Sequence, residues 1–443
     1  MVGVRYRRRS RRFAGACVSF ALIAATLALG SPSSAAQGDI ATVAGTGTAG
    51  FSGDGGPATS ATLDNPMGVA IDGAGALYVS DWMNHRVRRV DAAGTITTFA
   101  GSGASSGDLG DGGPATSASL RGPWGIATGQ GSVYIADWVG GRVRRVDAGG
   151  TITTFAGGGP GSPQDEPGDG GPATAAVLSN PTDVAVDAAG NVYISEGEAR
   201  RVRKVDPAGI ITTVASGLWY PSGVGVDATG VLYIADHGGG RVYRLDGSGA
   251  LAVVAGTGVV GHSGDGGPAT EADMTPWDVA VDAGGSIYLS DTAGNGPEDT
   301  VSRVRMVSTS GVITTVAGTG SCGAPGDGGP GTSAAVCGAA GLALGANGLA
   351  IAEAYGHRVR SLAVPQPAPT TTTTVPPTTS TSTSTTSTTT TLPATTTTLP
   401  ATTTTSTTVA PTTTTTVAPT TTTTAPCLLG SVEVKSVLSM CVP

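Results

Sequence analysis

The chain has 443 residues with 24 basic and 32 acidic side chains, a net charge of −8, and it is rich in glycine (71) and poor in aromatics (4%). An acidic surface repels phosphate backbones, which sets nucleic acid aside as a partner. The apolar residues alternate and glycine is abundant, so an architecture of a few long helices is excluded as well.

Residues 1–36 read as a secretory signal peptide. Arg5, Arg7, Arg8, Arg9, Arg11 and Arg12 form a basic start, Phe13 to Leu29 an apolar centre, and Ser34-Ala35-Ala36 the small residues of a cleavage site. The apolar run is too short for a stable membrane span, and Ser10-Arg11-Arg12-Phe13 leaves Sec and Tat export both open. Cys17 lies inside the discarded peptide. Cleavage leaves 18 basic against 32 acidic residues, a charge of −14. The expected product is secreted or extracellular, associated with a cell wall in one reading, with no integral span after cleavage.

Residues 38–364 repeat one unit. Its first copy runs Pro66-Met67-Gly68-Val69-Ala70-Ile71-Asp72, then Leu77-Tyr78-Val79-Ser80-Asp81, Arg86-Val87-Arg88-Arg89-Val90-Asp91 and Thr95-Ile96-Thr97-Thr98-Phe99-Ala100-Gly101. Short runs of Val, Ile, Tyr and Thr bounded by Gly and Asp are strand and turn signals. The unit recurs from Pro123, Pro181, Pro221 and Pro276, and more loosely from Ala339. The last copy stops after three strands, whereas the first is preceded by an orphan fourth strand, Ile40 to Gly45. These complementary ends predict an all-β, six-bladed β-propeller of four-stranded blades, closed by residues 40–45. The string Leu77-Tyr78-Val79-Ser80-Asp81 with Asn84-His85-Arg86-Val87 resembles the NHL repeat. That resemblance implies a scaffold shared by bacterial sensor-kinase ectodomains, teneurins and the peptide-amidating lyase, and hence one fold with several functions.

Several recurring residues are candidates for chemistry. An acid ends every second strand (Asp81, Asp137, Glu196, Asp236, Asp291, Glu353) and an arginine opens every third (Arg86, Arg142, Arg201, Arg241, Arg303, Arg358). A pair repeated in every blade reads as a structural ion pair anchoring the intervening loop. The heptad Gly-Asp-Gly-Gly-Pro-Ala/Gly-Thr recurs at 53–59, 110–116, 168–174, 264–270 and 326–332. It reads as a rigid turn, and alternatively as a ring of Asp54, Asp111, Asp169, Asp265 and Asp327 on one face. Calcium is the cation such a ring would take, although each turn alone offers too few oxygens; no other cofactor is expected. Trp82, Trp138, Trp124 and Trp277 fall near the same face, either as ligand contacts or as packing between blades. The irregular loop of blade 5, with Asn295, Glu298 and Asp299, breaks the repeat symmetry.

His85, His237, His262 and His357 sit at three different registers and specify no converging metal set. The amidating lyase that shares the resemblance is thought to use a histidine-bound metal in its channel, so that resemblance implies a lyase or a lactonase-type hydrolase as the alternative function. No metal site and no catalytic residue are predicted from the residues themselves. The leading expectation is a non-enzymatic, monomeric recognition or scaffold module that binds an extracellular protein or glycan through the long-loop face. A structural surface-layer role is the third.

Four cysteines remain after cleavage and allow three pairings. Proximity favours Cys322–Cys337 and Cys427–Cys441, and closing a 15-residue loop is worth roughly 3 kcal/mol in the chain-entropy model. Residues 365–426 are dominated by Thr, Pro, Ser, Ala and Val, a composition expected to remain disordered as a stalk reaching on the order of 190 Å. Residues 427–443 read as a short disulfide-closed segment.

Overall fold

The computed structural model describes residues 38–160, 168–293 and 301–365. The signal peptide, the stalk beyond Pro365, Cys427, Cys441 and the blade-5 loop with Asn295, Glu298 and Asp299 lie outside the described residues.

Six antiparallel sheets form six blades. Blades 1 to 5 are contiguous in sequence, each running from an inner strand at the axis to an outer strand at the rim. Their inner strands are Pro66–Ile71, Pro123–Gly129, Pro181–Val186, Pro221–Val226 and Pro276–Val281. Blade 6 takes Ala339–Gly345, Gly348–Glu353 and Arg358–Leu362 from the end of the array and Asp39–Ala44 from its start. Ile40 pairs with Leu362 and Thr42 with Arg360, so the two ends of the repeat close the ring. Closure removes the pair of long unpaired edges that an open array would expose.

Residue size sorts along each blade. Glycine is needed where inner strands converge: a Cβ on Gly341 would lie 2.7 Å from the Met67 carbonyl oxygen, and one on Gly68 would strike the Trp124 carbonyl. The second-strand tyrosines Tyr78, Tyr134, Tyr193, Tyr233 and Tyr288 are buried where the wedge widens. Between blades the core is built from Val, Ile, Leu and Ala, as in the layer joining Val79, Val90 and Ile96 of blade 1 to Ala350 and Val359 of blade 6.

The glycine-rich heptads run along the rim. Each descends the outer strand of the blade that it precedes: Pro57 bridges Thr95, Pro114 bridges Thr151, Pro172 bridges Ile210 and Pro268 bridges Val312, all antiparallel. In blade 6, Gly329–Pro330 pairs with Asp39 and Ile40. The Gly55 and Ala58 amides donate to the carbonyls of Ile96 and Gly94. Each heptad thus covers an outer edge that would otherwise present unpaired backbone groups. A short 3-10 turn follows and returns hydrogen bonds to the previous blade, with Gly45 and Thr46 donating to Ala58 and Ala61. Cys322 and Cys337 form a disulfide, Cα–Cα 4.9 Å, across the loop leading into blade 6.

Candidate functional site: an aromatic mouth over an acidic channel

The recurring charges pair differently from the sequence expectation, one register further along the third strand. In blades 1, 2, 3, 5 and 6 the fully buried arginines are Arg88, Arg144, Arg203, Arg305 and Arg360, each two residues beyond the arginine expected to pair. Arg88 reaches Asp54 at 2.5 Å and Asp81 at 3.4 Å. Arg305 reaches Asp265 at 2.7 Å and Asp291 at 3.1 Å, and Arg360 reaches Asp327 at 2.6 Å and Glu353 at 3.2 Å. Arg144 binds Asp111 at 2.6 Å, and Arg203 binds Asp169 at 2.6 Å.

Of the expected pairs, Arg201–Glu196 forms at 2.7 Å and Arg358–Glu353 is a looser 3.8 Å contact. Arg86, Arg142 and Arg241 turn instead to carbonyl oxygens, of Asn84 and Ser102, of Gly140 and of Thr257. The guanidinium of Arg303 packs at Gly320. The reason is reach: residues two apart share a face of the strand, and only the inner of the two arginines can span from the second-strand acid to the rim loop. In blade 4, which has no such arginine, Asp236 accepts the amides of Trp219 and Tyr220.

The rim aspartates are therefore braces. Asp54 accepts from Arg88 and from the Thr98 hydroxyl at 2.6 Å, and Asp111 from Arg144 and from Thr154 at 2.7 Å. Burial works against ionisation of Asp54, Asp169 and Asp265, yet the threonine and arginine hydrogen bonds outweigh it and hold these carboxyls below the ordinary range. A guanidinium already pairs with each of the five carboxylates, Asp54, Asp111, Asp169, Asp265 and Asp327. Three of the second-strand acids behave in the opposite way. Burial pushes Asp81 and Asp137 up to about 6 and Glu353 up to about 7.

The tryptophans come together at the mouth of the central channel on the long-loop face. Trp124 lies 5.2 Å from Trp82 and 4.8 Å from Trp138 between ring centroids, and 6.1 Å from Trp277 in a stacked arrangement. Blades 2 and 5 are diametrically opposed in a ring of six, so the Trp124–Trp277 stack crosses the axis and roofs the channel. His237 packs edge-on to Trp277 at 4.8 Å, and Tyr220 against His237 at 6.2 Å. All four indoles are half-buried. They both pack between blades and present aromatic surface to solvent. Trp219, which sequence reasoning passed over, is 62% exposed nearby, with the Arg200 guanidinium 5.1 Å from its ring centroid.

Beneath this roof the inner strands enclose a cavity of about 60 Å³, lined by all six blades, with room for a few waters. Aligned at their first residues, the inner strands place Gly68, Gly125, Gly223 and Gly341 at the position filled by Asp183 in blade 3 and Asp278 in blade 5. Asp278 is 9% exposed and accepts the Leu342 and Val279 amides, both at 2.7 Å. Asp183 accepts the Val224 amide at 2.9 Å, while its other oxygen occupies the space that a Cβ on Gly125 would need. Burial raises both carboxyls, Asp278 to about 7, and the neighbouring carboxylate of Asp278 raises Asp183 further.

The histidines form no single group, although His237 and His262 both neighbour Asp291. His237 is held neutral by burial, down to about 4, whereas His262 lies 3.2 Å from Asp291, and His357 lies 3.5 Å from Asp64 at another blade junction. Among the described residues no three His, Cys, Asp or Glu side chains are grouped to hold a metal. No helix among them is long and apolar enough to cross a membrane.

Comparison with known proteins bears on the scaffold. The family model for the teneurin NHL domain matches residues 37–107 and 158–217. Teneurin-4 of Mus musculus is 50% identical over 50 residues, 11% of this chain and 2% of that protein, so the match spans a small fraction of the curated relative's length. Among solved structures, a protein of unknown function from Bacteroides thetaiotaomicron superposes with a TM-score of 0.54 at 18% identity, covering 73% of this chain and 74% of the other. An auxiliary nutrient binding protein from the same organism gives 0.54 at 15%, covering 72% and 75%. The repeat in sequence and the six closed blades make this chain a six-bladed β-propeller, and its repeats are similar to those of the teneurin NHL domain.

Proposed function

We propose that this protein is an exported recognition module that binds an extracellular protein or glycan on the long-loop face. The observation carrying this reading is the half-exposed group Trp82, Trp124, Trp138 and Trp277 at the mouth of the channel. Indoles offer large, rigid contact area at low entropic cost, and aromatic rings dominate the energetics of binding surfaces. Trp219 and Arg200 extend the same surface outward over blades 3 and 4. The same fold is found in an auxiliary nutrient binding protein, which is also a binding role.

A lyase or hydrolase working through a channel metal fits less well. The Trp124–Trp277 stack roofs the channel on this face, and the space beneath it is about 60 Å³, well below the few hundred Å³ of ordinary small-molecule pockets.

The test is a screen of the full mature chain against arrayed polysaccharides and against surface proteins in pull-down, repeated with Trp82→Ala and Trp138→Ala. A ligand retained by the parent and weakened ten-fold or more in both variants, with both still folded by circular dichroism, is the expected result. Binding that ignores both substitutions would overturn the assignment. A tightly held stoichiometric transition metal in the purified protein would favour the enzymatic reading instead.

A further inference from the structure

Among the described residues, five outer strands are covered at the rim and the sixth is bare. Blade 4 is reached from blade 3 by residues 217–220 alone, between strands Ile211–Ser216 and Pro221–Val226. Four residues cannot run out to the rim and back, and blade 4 accordingly lacks the Gly-Asp-Gly-Gly-Pro heptad. Its outer strand, Leu251–Ala255, has no strand or bridge partner on its outward side among the described residues. In blade 1 the equivalent Ile96 both donates to and accepts from the covering loop, through Gly56 and Gly55.

The side chains have changed together with the loop. In the covered blades an arginine stands opposite a threonine at the register that grips the rim aspartate: Arg88 with Thr98, Arg144 with Thr154, Arg203 with Thr213, Arg305 with Thr315 and Arg360 with Thr42. In blade 4 that register pairs Tyr243 with Val253. Both polar grips are gone, and no charged residue lies within the strand Leu251–Ala255. Val253 is 41% exposed and Ala252 is exposed. Exposed edge strands are ordinarily blunted by charge, proline or a covering loop, and this one carries none of the three.

The covered blades show what such an edge accepts: an extended segment added antiparallel through its main chain, with one side chain seated between the third and outer strands. Main-chain pairing supplies affinity in strand addition, and the side-chain slot supplies specificity. A slot of phenol ring and isopropyl group disfavours a carboxylate, which would lose its hydrogen bonds there, and favours an apolar side chain.

We propose that the outer edge of blade 4, Leu251–Ala255, is a docking site for an extended segment of a partner polypeptide that carries an apolar residue where the internal covering loops carry aspartate. The site lies at the rim, separate from the aromatic mouth.

The experiment uses the full mature chain and two labelled peptides: residues 50–60 of this protein, and the same peptide with D54V. Binding is followed by fluorescence anisotropy and by amide shifts of isotopically labelled leucine and valine. The peptide carrying D54V is expected to bind at least ten-fold more tightly and to move the Leu251 and Val253 amides. The double variant Tyr243→Arg with Val253→Thr rebuilds the polar grip and should reverse the preference. The single exposed substitution Val253→Lys, which leaves the core untouched, should weaken the D54V peptide. Equal binding of both peptides, or no movement of Val253 at millimolar peptide, overturns the proposal. So does a concentration-dependent dimer that Val253→Lys dissociates, because the edge would then belong to a second copy of this chain.

Discussion

Arg305 is gripped by four groups. It donates to both flanking carboxylates and to the carbonyl oxygens of Ser263 and Asp273, from a fully buried position. Removing one partner of a buried ion pair leaves the remaining charges uncompensated, at a cost of about 3–5 kcal/mol. Arg305→Ala should therefore lower the unfolding free energy by about that amount in denaturant titrations. Arg86→Ala removes a half-exposed guanidinium lying 3.9 Å from the Phe51 ring centroid and should cost no more than about 1 kcal/mol. Equal losses in the two variants would contradict the assignment of the braces. The sequence displayed both arginines in every copy except that of blade 4, but not the choice between them. That choice is set by the distance from second strand to rim loop, which appears only once the heptad lies along the outer strand.

At the scale of the element, strands and turns were legible because each strand has the alternation and each turn its Gly or Asp. The fourth-strand orphan at residues 40–45 was legible because the final copy lacks its counterpart, and the structure places Asp39–Ala44 there. Asp183 and Asp278 were also visible, as departures from glycine at the third position of the inner strand, although a lone Asp after Pro-Thr or Pro-Trp reads as an ordinary turn residue. The bare edge of blade 4 was hidden for another reason. A missing heptad looks like a short loop until the heptad's covering role is known. The glycines at the axis allow a direct check of strand packing. Gly341→Ala puts a methyl within 2.7 Å of the Met67 carbonyl, where the rigid backbone of blade 1 cannot yield. A loss of about 1–3 kcal/mol is expected, read as a lower denaturant midpoint, while Gly94→Ala, on an open hairpin, should cost only its positive φ.

Ring closure is what brings Asp183 and Asp278, 95 residues apart in sequence, to one channel, and it makes stability depend on pH. Both carboxyls are raised in the folded protein, Asp278 from its ordinary value to about 7, by burial, whereas in the unfolded chain they titrate near 4. A raised acid holds its proton more tightly when folded. Its contribution is therefore complete below pH 4 and is lost progressively as the pH rises through about 7. A tenfold gain in proton affinity is worth about 1.4 kcal/mol, so the Asp278 contribution amounts to a few kcal/mol. Other groups titrate in the same interval: Asp81, Asp137 and Glu353 act in the same direction, and His237, held neutral by burial, acts in the opposite one. The informative quantity is thus the difference between parent and Asp278→Asn. The amide cannot ionise, and its oxygen can still accept one of the two amides that Asp278 now accepts. Near pH 5 the variant should match the parent or melt slightly lower. Between pH 6 and 8.5 the parent should lose stability relative to the variant, so that the two melting curves converge or cross. A constant offset across that range would show that the channel carboxyl is already ionised in the folded ring, and that its partners at Val279 and Leu342 outweigh its burial.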